Sequence, residues 1–507
     1  MHDHNTMVHL LSQLDLGTSV AETDQLLEVA RVETSAFWDL LRDRADLIPG
    51  TKGSGKSALF RTFVDFLPVA LLRERRVVVA HGIEDPGDPV FNAFRDDFER
   101  LSEAEFVAFW CIYLTSLAHE QFVKAPRYAE LLKGAEEEIA DFQTACINAR
   151  IPEIKAKKSL RSILEWTLNV VKAWTPKLTL RFPEGQGELE FGFGSPSPST
   201  PSTKPDTELL PEYIVKVRLT LEAVLKRVDL SLWLAIDRLD EIFPRRSPLE
   251  RTALRGLLRA MRLLSSDQIR VKVFLRDDML DEVVRGEEGF VALTHITARQ
   301  ADTLRWTEQQ ILTMLVKRIY ANEPIREYLD VDIDRLESNL EYRTEAFYKV
   351  FPPTVHRPPN QATTLKWIYT HCADGRGVVT PRDVLEMLRR AIQHQQDSCH
   401  ADPTGNSKAI IGSASLKYGL VELSNHKRVT FLQAEFPHLW GHIEKLVGGK
   451  SGFSEQALGR LFGTDAKRIA ADLVSVGVLS ATKRKGEVSY LVPFLYRPGL
   501  NVKRGNA

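Results

Sequence analysis

Eight consecutive residues constrain this chain more than any others: Gly50-Thr51-Lys52-Gly53-Ser54-Gly55-Lys56-Ser57. Their spacing, G-x-x-x-x-G-K-[ST], is a Walker A pattern, and each position has a physical reason. Phosphate oxygens must come within hydrogen-bonding reach of main-chain N–H groups, and glycine leaves room for that approach. The helical stretch Ala58 to Leu67 follows directly. Its free N–H groups and positive dipole end favour an anion. In such a loop Gly50 to Ala58 form the cradle, with Lys52 and Ser54 contributing mainly through backbone. Lys56 reaches the β- and γ-phosphates, and Ser57 supplies a hydroxyl ligand to Mg2+. The expected ligands are ATP and Mg2+. A Gly/Ser-rich turn with a chance lysine spells the same letters, so a second half of the site is needed.

That half is the apolar run Leu232 to Ile236, which ends in Asp237-Arg238-Leu239-Asp240-Glu241. An apolar strand delivering carboxylates at its carboxyl end is where open α/β sheets bind ligands. Asp237 is expected to hold Mg2+ alongside Ser57, and Asp240 or Glu241 to polarise the attacking water. Spacing does not separate these two, with Glu241 slightly favoured. A second apolar run, Val271 to Leu275, ends in Arg276, a candidate γ-phosphate sensor that a surface ion pair would explain equally. Thr380 suits an N-cap and Pro381 the first helical position, which puts Arg382 on the first turn of a helix as a further candidate sensor. Arg245, Arg246, Arg251 and Arg255 could include an arginine finger. A solvated helix face is the commoner fate of such a cluster.

With 507 residues the chain exceeds one ordinary domain. The fold class expected is α/β: a parallel sheet with a large helical insertion, a helical lid and a C-terminal winged helix-turn-helix. The divisions are a helical segment at 1–44, a sheet domain at 45–300, a lid at 301–404 and the winged helix at 405–507. The β-branched run Arg76 to Ala80 reads as a strand, and strands alternate with helices at 210–228 and 249–264. Leu26 to Leu41 carries helical periodicity. The insertion covers about 90–175, and Phe106 to Leu117 reads as a buried helix. Alternation over Thr179 to Gly194 suggests a hairpin, and 195–206 is a Pro/Ser-rich loop.

Net charge is −1, but 405–507 hold 15 Lys and Arg against 7 Asp and Glu. A basic tail on a mildly acidic body points to an anionic partner. Lys467 and Arg468 would lie on the recognition helix, and Lys483, Arg484 and Lys485 at a wing tip, placed to contact nucleic-acid phosphates. Nothing in the pattern points to particular bases. The competing role is protein docking or an intramolecular brake. Cys111, Cys146, Cys372 and Cys399 form no C-x-x-C pair, which argues against a disulfide scaffold and fits a reducing cytoplasm. A zinc site built from His371-Cys372 and Cys399-His400 lacks ligand spacing. The N-terminus has no signal-peptide pattern, and no apolar run is long enough for a membrane span.

The segments at 50–59 and 236–241, with Phe-Leu-Arg-Asp-Asp at 274–278, Leu-Arg-Trp-Thr at 304–307, Thr-Pro-Arg-Asp-Val at 380–384 and Val-Pro-Phe-Leu-Tyr at 492–496, resemble bacterial P-loop ATPases of the AAA+/STAND type. The resemblance spans most of 38–500 and is thinnest at 90–210. It implies an ATP-driven switch or motor with an origin-recognition-type order of domains. Such proteins work beside effector or nucleic-acid-processing partners, including in phage defence. A tandem of arginine-finger motifs is not legible, a departure from ring-forming members. Homo-oligomerisation on a trigger, with slow hydrolysis, is the rival expectation. A scaffold binding nucleotide structurally is the third, and the carboxylates at Asp237, Asp240 and Glu241 argue against it.

Overall fold

The computed structural model describes residues 4–82, 101–149, 151, 180–181, 188–189, 210–243, 247–284, 297–356, 362–401, 409–484 and 487–507. The loop expected at 195–206 lies outside these residues, as do Arg245, Arg246 and Lys485. The chain divides into two compact units. One comprises 35–51 and 56–304, the other 1–34, 52–55 and 305–507.

The first unit is an α/β layer built on strands β1 (Leu47–Gly50) and β2 (Val77–Gly82). The described part of the expected hairpin is a two-residue antiparallel pair, β3 (Leu180–Arg181) with β4 (Glu188–Leu189). Strands β5 (Ser231–Ile236) and β6 (Ile269–Arg276) complete a four-stranded parallel sheet ordered β1-β6-β5-β2. Three of these strands fall where apolar runs predict them. The fourth, β1, is not predicted, because four residues ending in Pro49-Gly50 carry no strand pattern. It forms by pairing: Leu47 lies opposite Val273 and Gly50 opposite Arg276.

Side chains alternate across the sheet, as strand geometry requires. Val78, Ala80, Leu232, Leu234, Val271 and Val273 face a core made with the helices Glu103–Ala118, Leu210–Arg227 and Pro248–Leu264. Ile48, Val77, Val79, Trp233, Ala235 and Phe274 face a smaller core with the helices Ser35–Leu41 and Lys56–Arg61. The 103–118 helix starts on a capping box, Ser102 with Glu105, and is buried almost throughout.

Both sheet edges are covered, which removes a template for aggregation. On β1, Ala301 N–H donates to the Leu47 carbonyl (2.9 Å) and Leu304 N–H to Pro49 (2.9 Å). On β2, the Gln121 side chain accepts from His81 N–H (2.9 Å) and donates to the His81 carbonyl (2.6 Å).

One buried residue breaks the apolar pattern. Lys272 sits in mid-strand at 1% exposure, over the Trp233 ring at 4.6 Å. Its ammonium donates to Asp43 (2.5 Å), Asp46 (2.6 Å) and the Ala45 carbonyl (2.8 Å). Arg299 donates to Asp46 (2.6 Å), and Arg270 lies 3.5 Å from Asp43. A buried ammonium is tolerable only when paired and hydrogen-bonded. This one ties β6 to the segment that enters β1.

The second unit is mainly helical. The helix His4–Gln13 buries Met7, Leu10 and Leu11 in a core shared with Glu308–Tyr320, Leu340–Val350, Thr364–His371 and Pro381–Ala401. The expected helix over 26–41 is not continuous: residues 25–30 are turns, and only Ser35–Leu41 is helical. Asp24 supplies a competing arrangement, accepting from the N–H groups of Thr18 (3.3 Å) and Leu26 (3.2 Å) while paired to buried Arg318 (2.5 Å).

In the tail, the helices Glu455–Phe462 and Ala466–Ser475 lead into β8 (Ser480–Arg484) and β9 (Glu487–Leu491). Two strands that the sequence does not predict, β7 (Lys450–Ser454) and β10 (Lys503–Asn506), extend this hairpin to four strands in the order β10-β7-β9-β8. The hairpin that carries the expected wing tip is therefore part of a larger sheet. KSGFS and KRGN lack apolar alternation, so pairing rather than local preference makes these strands.

Truncating Asp46 to Ala leaves the Lys272 ammonium short of its buried carboxylate partner. The expected loss is about 3–5 kcal/mol in chemical denaturation. Lys272→Met should cost less, because Arg270 and Arg299 still partner the two carboxylates. Equal losses would contradict this account of the network.

Candidate functional site

All four strands of the larger sheet in the first unit run parallel, so their carboxyl ends lie along one edge. Register makes this concrete: Gly50 pairs with Arg276, Ile236 with Val273, and Gly82 with Ile236. The glycine-rich loop leaves β1, Asp237 follows β5, and Arg276 is the last residue of β6.

Gly53 (φ +81°) and Gly55 (φ +96°) lie in the left-handed region that a side chain disfavours. Two of the loop's glycines are therefore required by backbone conformation. Lys56 opens the helix Lys56–Arg61 and turns its amine back to the carbonyls of Gly50 (2.8 Å) and Thr51 (2.9 Å). Burial pulls the Lys56 ammonium below the usual lysine range, against the opposing pull of Asp237 and Asp240.

Asp237 is 3% exposed. Burial pushes its carboxyl up to about 6, partly offset by a hydrogen bond with Ser57 and the Lys56 charge. The two residues expected to hold Mg2+, Ser57 and Asp237, are thus in contact. Within the described residues, Asp237 Oδ2, Thr51 Oγ1 and Ser54 Oγ are buried without a hydrogen-bond partner. Buried polar atoms in that condition call for an explanation. An oxygen-liganded cation at Asp237 and an anion at the loop would supply one, so the residues present fit Mg2+ and a phosphate chain. Ala58 is the third residue of the loop's helix.

The carboxylates after β5 diverge. Arg238 takes a left-handed conformation (φ 61°, ψ 30°), which turns the chain into the short helix Leu239–Glu241. Asp240 comes back toward the site: its Oδ2 accepts from Arg276 Nη1 (3.3 Å), and it acts electrostatically on Lys56. Glu241 is exposed. Geometry therefore separates two residues that spacing left level. Arg276 is 5% exposed, and Asp278 also pairs with it, accepting from Nε (2.9 Å) and Nη2 (3.0 Å). It is a buried ion-pair member rather than a surface salt bridge. Arg255 is likewise buried, donating to the Val283 carbonyl (3.0 Å), and Arg251 pairs with Glu282 at 3.6 Å. Those two do not form a solvated face.

The second unit holds Arg382. Thr380 Oγ1 accepts from Asp383 N–H (3.2 Å), and Pro381 opens the helix Pro381–Ala401, so the arginine stands on its first turn. Arg382 is exposed. It contacts the Ser19 carbonyl (3.5 Å), and a Cβ built on Gly53 would lie 3.1 Å from its Cβ. In the same unit Lys52 pairs with Glu435 (2.5 Å), and Trp306 Nε1 donates to the Ser54 carbonyl (2.7 Å). Glu435 carries no motif and sequence reading misses it, while Trp306 lies in the Leu-Arg-Trp-Thr segment without a role assigned from sequence.

In the tail, Lys467, Arg468 and Lys483 are exposed. Arg468 pairs with Asp465 (3.1 Å) and Asp472 (3.4 Å), which halves the positive charge of the Ala466–Ser475 helix face. Arg484 ends β8 opposite Glu487. Cys372 is buried against Met387, and no group of metal-ligating side chains occurs among the described residues. No described helix is long and apolar enough to cross a membrane.

In sequence comparison no protein-family model matches the chain, and no curated protein matches it.

Asp237→Asn tests the metal fit. For the native chain, ATP at a hundredfold its Kd should stabilise by about 2.7 kcal/mol, and Mg2+ should enlarge the thermal shift. In the variant the Mg2+-dependent increment should vanish, while melting without nucleotide stays level. An undiminished increment would remove Asp237 from the metal site.

Proposed function

We propose that the protein is a Mg2+-dependent ATPase that couples ATP binding and hydrolysis to conformational change in a nucleic-acid-associated complex. The observation that carries this reading is the convergence of Lys56, Ser57, Asp237, Asp240 and Arg276 at the carboxyl ends of β1, β5 and β6. Ser57 and Asp237 would hold Mg2+, which supplies charge neutralisation on the phosphate oxygens. Lys56 would exchange its bonds to the Gly50 and Thr51 carbonyls for phosphate oxygens. Asp240 would take the proton of the attacking water as the new oxygen–phosphorus bond forms and the bond to the β–γ bridging oxygen breaks. That proton then passes to the released phosphate. Lys56 and Arg276 would balance the negative charge that grows on the phosphoryl oxygens. Arg382 and the loop residues Lys52–Gly55 belong to one unit.

Nucleic acid is the partner favoured for the tail. Its excess of basic residues, with Lys467 and Lys483 exposed, supports this. The C-terminal sheet and helices would act as a winged helix that contacts phosphates rather than bases.

Steady-state ATP hydrolysis, with and without double-stranded DNA, single-stranded DNA and RNA, tests the proposal. Turnover should be lost in Lys56→Ala and rise with one of the nucleic acids. Asp240→Asn should lower kcat by about a hundredfold or more, within the range for general-base groups. Glu241→Gln should stay within about threefold of native, since an exposed carboxylate outside the cluster has no proton to take. A larger loss with Glu241→Gln than with Asp240→Asn would reverse the assignment. Slow turnover indifferent to all three nucleic acids would favour the signalling-switch alternative.

A further inference from the structure

We propose that Asp278 is the positioning residue for terminal-phosphate recognition. It locks the Arg276 guanidinium so that Nη1, the nitrogen that holds Asp240, is the one the γ-phosphate of ATP captures. This rests on the nucleotide-binding reading above. Arg276 is the residue of β6 that pairs in register with Gly50, so its side chain is rooted at the base of the glycine-rich loop. At 5% exposure it has little water to bond, and two carboxylates, Asp278 and Asp240, hold its guanidinium.

Those partners are unequal. Asp278 takes Nε and Nη2 in a two-bond fork at 2.9 and 3.0 Å, which fixes the plane of the guanidinium. Asp240 takes Nη1 alone, at 3.3 Å. Asp278 sits in the first turn of the helix Asp277–Val284, where the dipole favours a carboxylate. An anion arriving at the loop therefore competes for the weaker, single bond and leaves the fork intact. Capture of Nη1 detaches Asp240 from Arg276 and leaves that carboxylate to orient water. Without the fork, the guanidinium can turn as a whole toward Asp240, and phosphate capture no longer frees the carboxylate. ADP has no γ-phosphate and does not engage this exchange.

The test is equilibrium titration of the full chain with Mg·ATP and with Mg·ADP, using native protein, Asp278→Asn, Arg276→Lys and the double variant. The native chain should bind ATP more tightly than ADP. Asp278→Asn should lose about tenfold or more in ATP affinity with ADP affinity held within about twofold, and its kcat should fall with it. Arg276→Lys keeps the charge and removes the fork, so it should show the same ATP-selective loss. The double variant should be no worse than either single one, because both break one unit.

Equal losses for ATP and ADP, unchanged affinities, or additive losses in the double variant would each overturn the proposal. If Asp278→Asn fails to fold, Arg276→Lys decides alone: an unselective loss overturns the proposal. A native chain that binds neither nucleotide overturns the nucleotide reading itself, an outcome distinct from loss of selectivity in the variants.

Discussion

Because β1, β6, β5 and β2 all run in one direction, their carboxyl ends come together along a single edge, and every polar group of the candidate site depends on that alignment. The register places Gly50 beside Arg276 and Ile236 beside Val273. A slip of one residue would turn Arg276 to the opposite face and point Lys272 into the apolar helical core. The buried contacts of Lys272 with Asp43, Asp46 and the Ala45 carbonyl oppose that slip, since it would break them. A polar network away from the site thus helps to fix the geometry at it.

The site itself is a set of charges held close together before any ligand acts on them. Lys56 rests on its own loop's carbonyls, Asp237 on Ser57, and Arg276 on Asp278 and Asp240. Each resting partner is weaker than a phosphate or a divalent cation would be. The raised pKa of Asp237, about 6, measures how poorly its buried carboxylate is compensated. Under the proposed reading, exchange of these partners would let the site respond to the difference of one phosphate group.

Much of this was legible in the sequence wherever chemistry demands residue types at fixed spacing. The glycine at 55 is read from the motif, and the structure shows the left-handed backbone that favours glycine there and at 53, a position the motif leaves open. Apolar runs located β2, β5 and β6 because buried parallel strands are continuous and β-branched. What escaped was made by pairing rather than by local preference. Strand β1 contains a proline and has four residues, and β7 and β10 are rich in glycine and charge. Continuity over 26–41 was expected because periodicity is blind to Asp24, whose bonds to nearby N–H groups and to Arg318 stop the helix. Spacing did not separate Asp240 from Glu241, which was slightly favoured; the left-handed conformation of Arg238, invisible in sequence, precedes the turn that brings Asp240 to Arg276 and leaves Glu241 exposed. The fork from Asp278 to Arg276 was likewise invisible, although the two residues are only two apart.

The most direct measurement is calorimetric titration of Mg·ATP into the native chain and into Lys56→Ala. If the cluster at the carboxyl ends of β1, β5 and β6 is a nucleotide site, the native chain should bind one ATP saturably. Removing the Lys56 amine should weaken binding by at least about a hundredfold, roughly 2.7 kcal/mol. Absence of binding in the native chain, or equal affinity in Lys56→Ala, would contradict the assignment at its root.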